Sequence, residues 1–134
     1  MPEVIWLTEP QEHDYPAAAA YLALLAPPAR VQALVARLRA APLRRWKAKD
    51  ILRASGLPLL APDNPHVAAD LHKINHERPL SPVLLVRGDL DTARPLHIAD
   101  GYHRACAAHH TDENSDIPCH LAADDTPAVP PVPA

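Results

Sequence analysis

The spacing of hydrophobic positions changes near residue 56. Before it, apolar residues recur at helical intervals; after it, short continuous apolar runs alternate with turn-rich segments and two helical stretches. Ala17 to Leu25 is rich in strong helix formers, and Pro16 suits a helix start. Pro27 and Pro28 interrupt that run. Val31, Leu34, Val35 and Leu38 then repeat at i, i+3, i+4 and i+7, the buried face of a second helix, with Arg30, Gln32, Arg37 and Arg39 on its other sides. Pro42 ends it. A third helix is predicted over Lys47 to Ser55, stopped by Gly56 and Pro58.

Leu57 to Leu60 has the make-up of a short strand. Ala61-Pro62-Asp63-Asn64-Pro65 is a loop in which Asn64 or Asp63 can cap a helix running from about His66 to Glu77. Val67, Leu71 and Ile74 line one face of that helix, with Asp70, His72 and Lys73 interleaved. Pro82 to Arg87 is a nearly continuous apolar strand of the kind buried on both faces. Gly88-Asp89 turns into a polar loop over Leu90 to Pro95, and Leu96 to Ala99 is the next strand. A helix over Gly101 to His110, a polar break at Thr111 to Ser115 and a strand over Ile117 to Leu121 complete the series.

Composition narrows the class. A chain of 134 residues, 48% hydrophobic, supports one domain with a single core. It holds no Phe, so small aliphatic residues must pack closely. A formal charge of -3 argues against a surface wholly devoted to nucleic acid. Two cysteines, Cys106 and Cys119, suggest no disulfide framework and fit a reducing cytoplasm. The start Met1-Pro2-Glu3-Val4 lacks a basic signal-peptide region, and Ala17 to Leu25 is too short to cross a bilayer, so no membrane partner is expected. Residues 124–134 are proline-rich, without periodicity, and read as an extended or disordered tail.

The chemistry concentrates in Asp100-Gly101-Tyr102-His103-Arg104. A strand running through glycine into a helix start offers unpaired backbone N–H groups at the positive end of a helix dipole, which suits an anion. Arg104 adds a planar fork matched to phosphate, its plainer reading being an ion pair with Asp100 or Glu77. His103 is a candidate phosphate contact or general acid/base, or else a satisfied core or surface histidine. Asp100 is a candidate for Mg²⁺ or for capping the following helix through the N–H of His103.

The order of these parts resembles the ParB/sulfiredoxin superfamily over roughly Leu57 to Leu121. The residues that carry the likeness are Pro62-Asp63-Asn64-Pro65, Leu80-Ser81-Pro82-Val83-Leu84-Leu85-Val86, Ile98-Ala99-Asp100-Gly101-Tyr102-His103-Arg104 and Asp116-Ile117-Pro118-Cys119. Asp-Gly-Tyr-His-Arg is most similar to the Asp-Gly-His-His-Arg form of free serine kinases, which phosphorylate a small hydroxyl compound. The resemblance implies a small mixed sheet within 57–123; the N-terminal helices over 1–56, read from the apolar spacing, lie outside the resemblance and are expected to pack on that sheet in an α+β fold, the whole 1–123 forming one domain. It implies a nucleotide, ATP or CTP with Mg²⁺, a small-molecule acceptor, and phosphotransferase or NTPase chemistry. Asp100, Gly101, Tyr102, His103 and Arg104 would hold phosphate, joined by Asn64, His66 and Lys73, while His103, Asp63 and Glu77 are the catalytic candidates. Tyr102 stands where sulfiredoxins carry their reactive cysteine, which argues against that activity. The DNA-reading helices of ParB would follow the nucleotide domain, where this sequence has a proline-rich tail, so centromere binding of the ParB kind is not expected.

Each candidate also has a plainer reading. An Asx turn explains Asp63 and Asn64 as well as a site does, a solvated helix face explains Lys73, and Glu77 can mark a helix end. Nine histidines and two cysteines invite a metal, but no CxxC pair or HExxH motif is present, and no metal site is expected. A basic run, Arg37, Arg39, Arg44, Arg45, Lys47, Lys49 and Arg53 with Trp46 inside it, reads most plainly as a solvated helix face with a core-filling tryptophan. It otherwise supports an alternative, a ParB-like nucleic-acid-binding protein or nuclease, in which Arg44, Arg45 and Lys47 hold a nucleic-acid backbone or an acidic partner. A non-catalytic nucleotide-sensing or protein-interaction module is the third alternative.

Overall fold

In a computed structural model, residues 3–124 are described; beyond Asp124, the expected tail lies outside them. The chain is an α+β fold. Two helices, α1 (Asp14–Leu22) and α2 (Pro28–Ala40), precede a strand, β1 (Arg44–Lys47), and a short helix, α3 (Ala48–Ser55). Then come α4 (Pro65–Asn75), β2 (Val83–Val86), β3 (His97–Asp100), α5 (Tyr102–Thr111) and β4 (Asp116–Ala122). The sheet order is β1-β4-β2-β3: β2 runs parallel to β4, and the two outer pairings are antiparallel.

Strand alternation builds two cores. Val83, Leu85, Ile98, Ile117 and Cys119 point to the face covered by α3, α4 and α5; Leu84, Val86, Ala99 and Ala122 point to the face covered by α1 and α2. β2 is buried at all four positions, as its unbroken apolar run predicts. α5 fits tightly because it presents four buried small residues, Ala105, Cys106, Ala107 and Ala108. This is how a chain without Phe fills its interior. Both cysteines are free and buried; burial pushes the Cys119 thiol up to about 12 and raises Cys106 as well, so both stay protonated.

Two local expectations are corrected. Leu57 to Leu60 forms no strand. Its carbonyls are taken by side chains of α5, Pro58 by the Tyr102 hydroxyl at 2.5 Å and Leu60 by His110 Nε2 at 2.6 Å, so it is a loop strapped to that helix. Conversely, Arg44–Lys47 is no helix face but an edge strand, paired with β4 from Arg44 opposite Cys119 to Lys47 opposite Asp116. The N-terminal part therefore contributes to the sheet. A further extended stretch brings Trp6 beside Leu80 in a parallel bridge. Among the described residues, no helix is long and apolar enough to cross a membrane.

Candidate functional site

The site begins with one glycine. Gly101 ends β3 and is the N-cap of α5 at φ 107°, a conformation that disfavours any side chain. A Cβ there would also lie 2.9 Å from both Arg104 Nη2 and Val83 Cγ2. The guanidinium of Arg104 thus folds back directly over Gly101. Among the described residues no side chain caps α5; Asp100 is not its cap, and its first N–H groups have no side-chain acceptor there.

Arg104 is committed inward. Its Nη2 donates to Asp100 Oδ2 at 2.9 Å and to the Pro82 carbonyl at 3.2 Å, and Nη1 lies 4.0 Å from Asp14 Oδ1. Only its Nε is buried without a partner among the described residues. Asp14, at the start of α1, is 2% exposed and accepts from the Gln11 N–H at 2.9 Å. Burial pushes the Asp100 carboxyl up, Arg104 pulls it down, and the neighbouring Asp14 carboxyl adds to the rise. Of the two readings of Arg104, the structure displays the ion pair: two carboxylates share one guanidinium and tie α1, β3 and α5 together.

The groups that face outward stand beside this network, where α4 packs on α5. Asn64 caps α4, its side chain accepting from the N–H groups of His66 and Val67 at 3.0 and 3.3 Å. That places the His66 ring 4.7 Å from the His103 ring, centre to centre. Asp70 is half-buried near His66, His103, Lys73 and Arg104. Burial raises its pKa, and those four cations or potential cations oppose the rise. Burial lowers the His103 pKa, helped by His66 and Arg104 and opposed by Asp70. The Asp70 carboxylate and the His103 ring therefore act on each other through their charges.

Of the residues expected to act, Asp100, Gly101, His103, Arg104, Asn64, His66 and Lys73 fall on these adjoining helix starts or the face of α4 beside them. Tyr102 is half-buried and turned to the Pro58 carbonyl. Asp63 is exposed in the loop before α4, and Glu77 is exposed just past its end at φ 56°. Asp70 and Asp14 were not among the expected residues. His66, Asp70 and Lys73 are spaced i, i+4, i+7, a pattern that marks one helix face. Asp14 carries no local signal for the site, because the site residues it meets, Asp100 and Arg104, are 86 and 90 residues away in the chain. No family model, curated protein or solved structure matches this chain.

Proposed function

We propose that the chain binds a nucleotide, ATP or CTP, by its phosphates where the first turns of α4 and α5 meet, and acts on a small hydroxyl compound as a phosphotransferase or NTPase of ParB/sulfiredoxin-like type. The observation that carries this reading is the start of α5, without a side-chain cap among the described residues, where His103 meets His66 of α4, with the half-buried Asp70 and, in the last turn, Lys73 further along the same face of α4. The free N–H groups and Lys73 attract the phosphates, and His103 holds or releases a proton. Asp70 takes the hydroxyl-orienting part for which Asp63 and Glu77 were candidates. Arg104 positions the turn through Asp100 rather than gripping phosphate. Mg²⁺ would come with the nucleotide, bridging its phosphates and lowering their charge.

One observation favours a second reading. Arg44, Arg45 and Lys47 are exposed on the edge strand and make no ion pair among the described residues, while Lys47, Lys49, Asp50 and Arg53 line a cleft of about 480 Å³. This surface suits a nucleic-acid backbone. Trp46 does not belong to it, since its half-buried ring packs against the core.

One panel tests both. Thermal unfolding is followed with ATP, CTP, GTP and a single-stranded oligonucleotide, with and without Mg²⁺, on wild type, Lys73→Gln, His103→Gln and Arg44→Gln/Arg45→Gln. A nucleotide at about a hundredfold over its Kd adds about 2.7 kcal/mol, an easily read shift. A shift with one nucleotide that is lost in Lys73→Gln supports the first reading. No nucleotide shift, with oligonucleotide binding that disappears in the double variant, replaces it with the second.

A further inference from the structure

We infer a second ligand site, for a small organic carboxylate with an apolar body, in the cleft between α1, α2 and the loop Arg87 to Pro95. It lies at the opposite end of β3 from Asp100 and encloses about 250 Å³. Leu22, Leu25, Leu34, Val86 and Pro95 form an apolar wall, and Arg30, Arg87 and Arg94 supply the charge. His97 adds a polar group, with Nδ1 2.8 Å from the Tyr21 hydroxyl.

Charge and shape together select the ligand. Among the described residues, Asp124 is the one carboxylate lining the cleft; it takes both Nε and Nη2 of Arg30 and lies 3.6 Å from Arg94 Nη1. The other terminal nitrogen of Arg94 is 3.7 Å from Asp89, outside the cleft. Arg87 is exposed and makes no ion pair among the described residues. Among the described residues, three guanidinium groups against one lining carboxylate make the cleft positive, and a planar fork matches a carboxylate in two parallel hydrogen bonds.

The loop that brings the arginines together is a built feature. A Cβ on Gly88 would sit 2.4 Å from the Arg94 carbonyl oxygen, so only glycine permits the close crossing of the two loop arms. The Asp89 N–H donates to that same oxygen at 3.0 Å, and the Asp89 carboxylate accepts from the Asp91 N–H at 2.9 Å. The volume sits just below the usual range for small-molecule cavities, roughly 300–1,000 Å³, which suits one short acid rather than a nucleotide. An apolar wall has no use for inorganic phosphate.

The test is an NMR titration of the full chain with octanoate, with octylamine and inorganic phosphate as controls. Octanoate is expected to give saturable shifts of the His97 ring and of the Arg87 and Arg94 Nε–H signals. Arg87→Gln, an exposed position whose change leaves the circular dichroism spectrum unaltered, weakens that binding about tenfold, equivalent to about 1.4 kcal/mol. The assignment is overturned by an absence of saturable shifts, or by octylamine or phosphate binding as tightly as octanoate. It is also overturned by affinity unchanged in both Arg87→Gln and Arg94→Gln.

Discussion

Arg104 and the trio Arg44, Arg45 and Lys47 are both cationic candidates for holding phosphate, yet the fold places them in opposite situations. Arg104 has a side chain 16% exposed, bonded to Asp100 and the Pro82 carbonyl and facing Asp14. The edge-strand cations are exposed, with no ion pair among the described residues. The best-placed arginine at the helix start is thus the least available to a ligand, and the least conspicuous basic segment keeps its charge open. A cation's availability depends on how many carboxylates the fold brings to it, which is a tertiary property.

The sharpest way to break that comparison is to remove the charges. Arg104→Ala leaves Asp100 and Asp14 facing each other without their shared partner and is expected to destabilise the chain by about 3–5 kcal/mol. Arg104→Lys should recover part of this, since it restores charge but not the fork. Arg44→Ala and Arg45→Ala are expected to stay within about 0.5 kcal/mol of wild type. Urea unfolding reads all four, and an Arg104→Ala loss as small as those at the edge would make the inward network incidental.

A smaller effect is expected at the turn itself. Gly101→Ala must place a methyl group at φ 107° against the Arg104 guanidinium and Val83. The backbone conformation alone costs about 1–3 kcal/mol, and relief of the contact displaces Arg104 from Asp100. Combined with Arg104→Ala, the two losses should therefore sum to less than their separate values, the mark of a shared interaction. Strict additivity in the double variant would separate the glycine from the arginine network.

The same contrast explains what was legible along the chain. α2, α4, α5, β2, β3 and β4 declare themselves because each has a one- or two-sided apolar pattern that burial demands. β1 does not: Arg44-Arg45-Trp46-Lys47 buries little of itself, and a charged edge strand is the kind that sheets use to avoid further pairing. Leu57 to Leu60 misleads for the converse reason, since its apolar residues look like a strand while its carbonyls are satisfied by Tyr102 and His110 from another element. At the site, Gly101 and the Asn64 cap were readable from local geometry. The capture of Arg104 by Asp14 was not, because nothing near residue 14 announces a contact with a helix about ninety residues later.

The smallest expected effect lies in the electrostatic coupling of Asp70 and His103. Burial lowers the His103 pKa from its ordinary 6.5, and the Asp70 carboxylate opposes that fall. Replacing the carboxylate by Asp70→Asn should therefore move the His103 titration to still lower pH, read from its ring proton by NMR. The stability consequences have opposite signs. Because His103 is lowered, its contribution is present above 6.5 and lost as pH falls through the folded-state value. Because Asp70 is raised from its ordinary 3.8, its contribution is present below 3.8 and lost as pH rises through the folded-state value. Asparagine copies the protonated carboxyl, so Asp70→Asn should be more stable than wild type near neutral pH, with the difference vanishing well below 3.8. A His103 titration that stays put or moves upward would show that the Asp70 carboxylate does not act on His103.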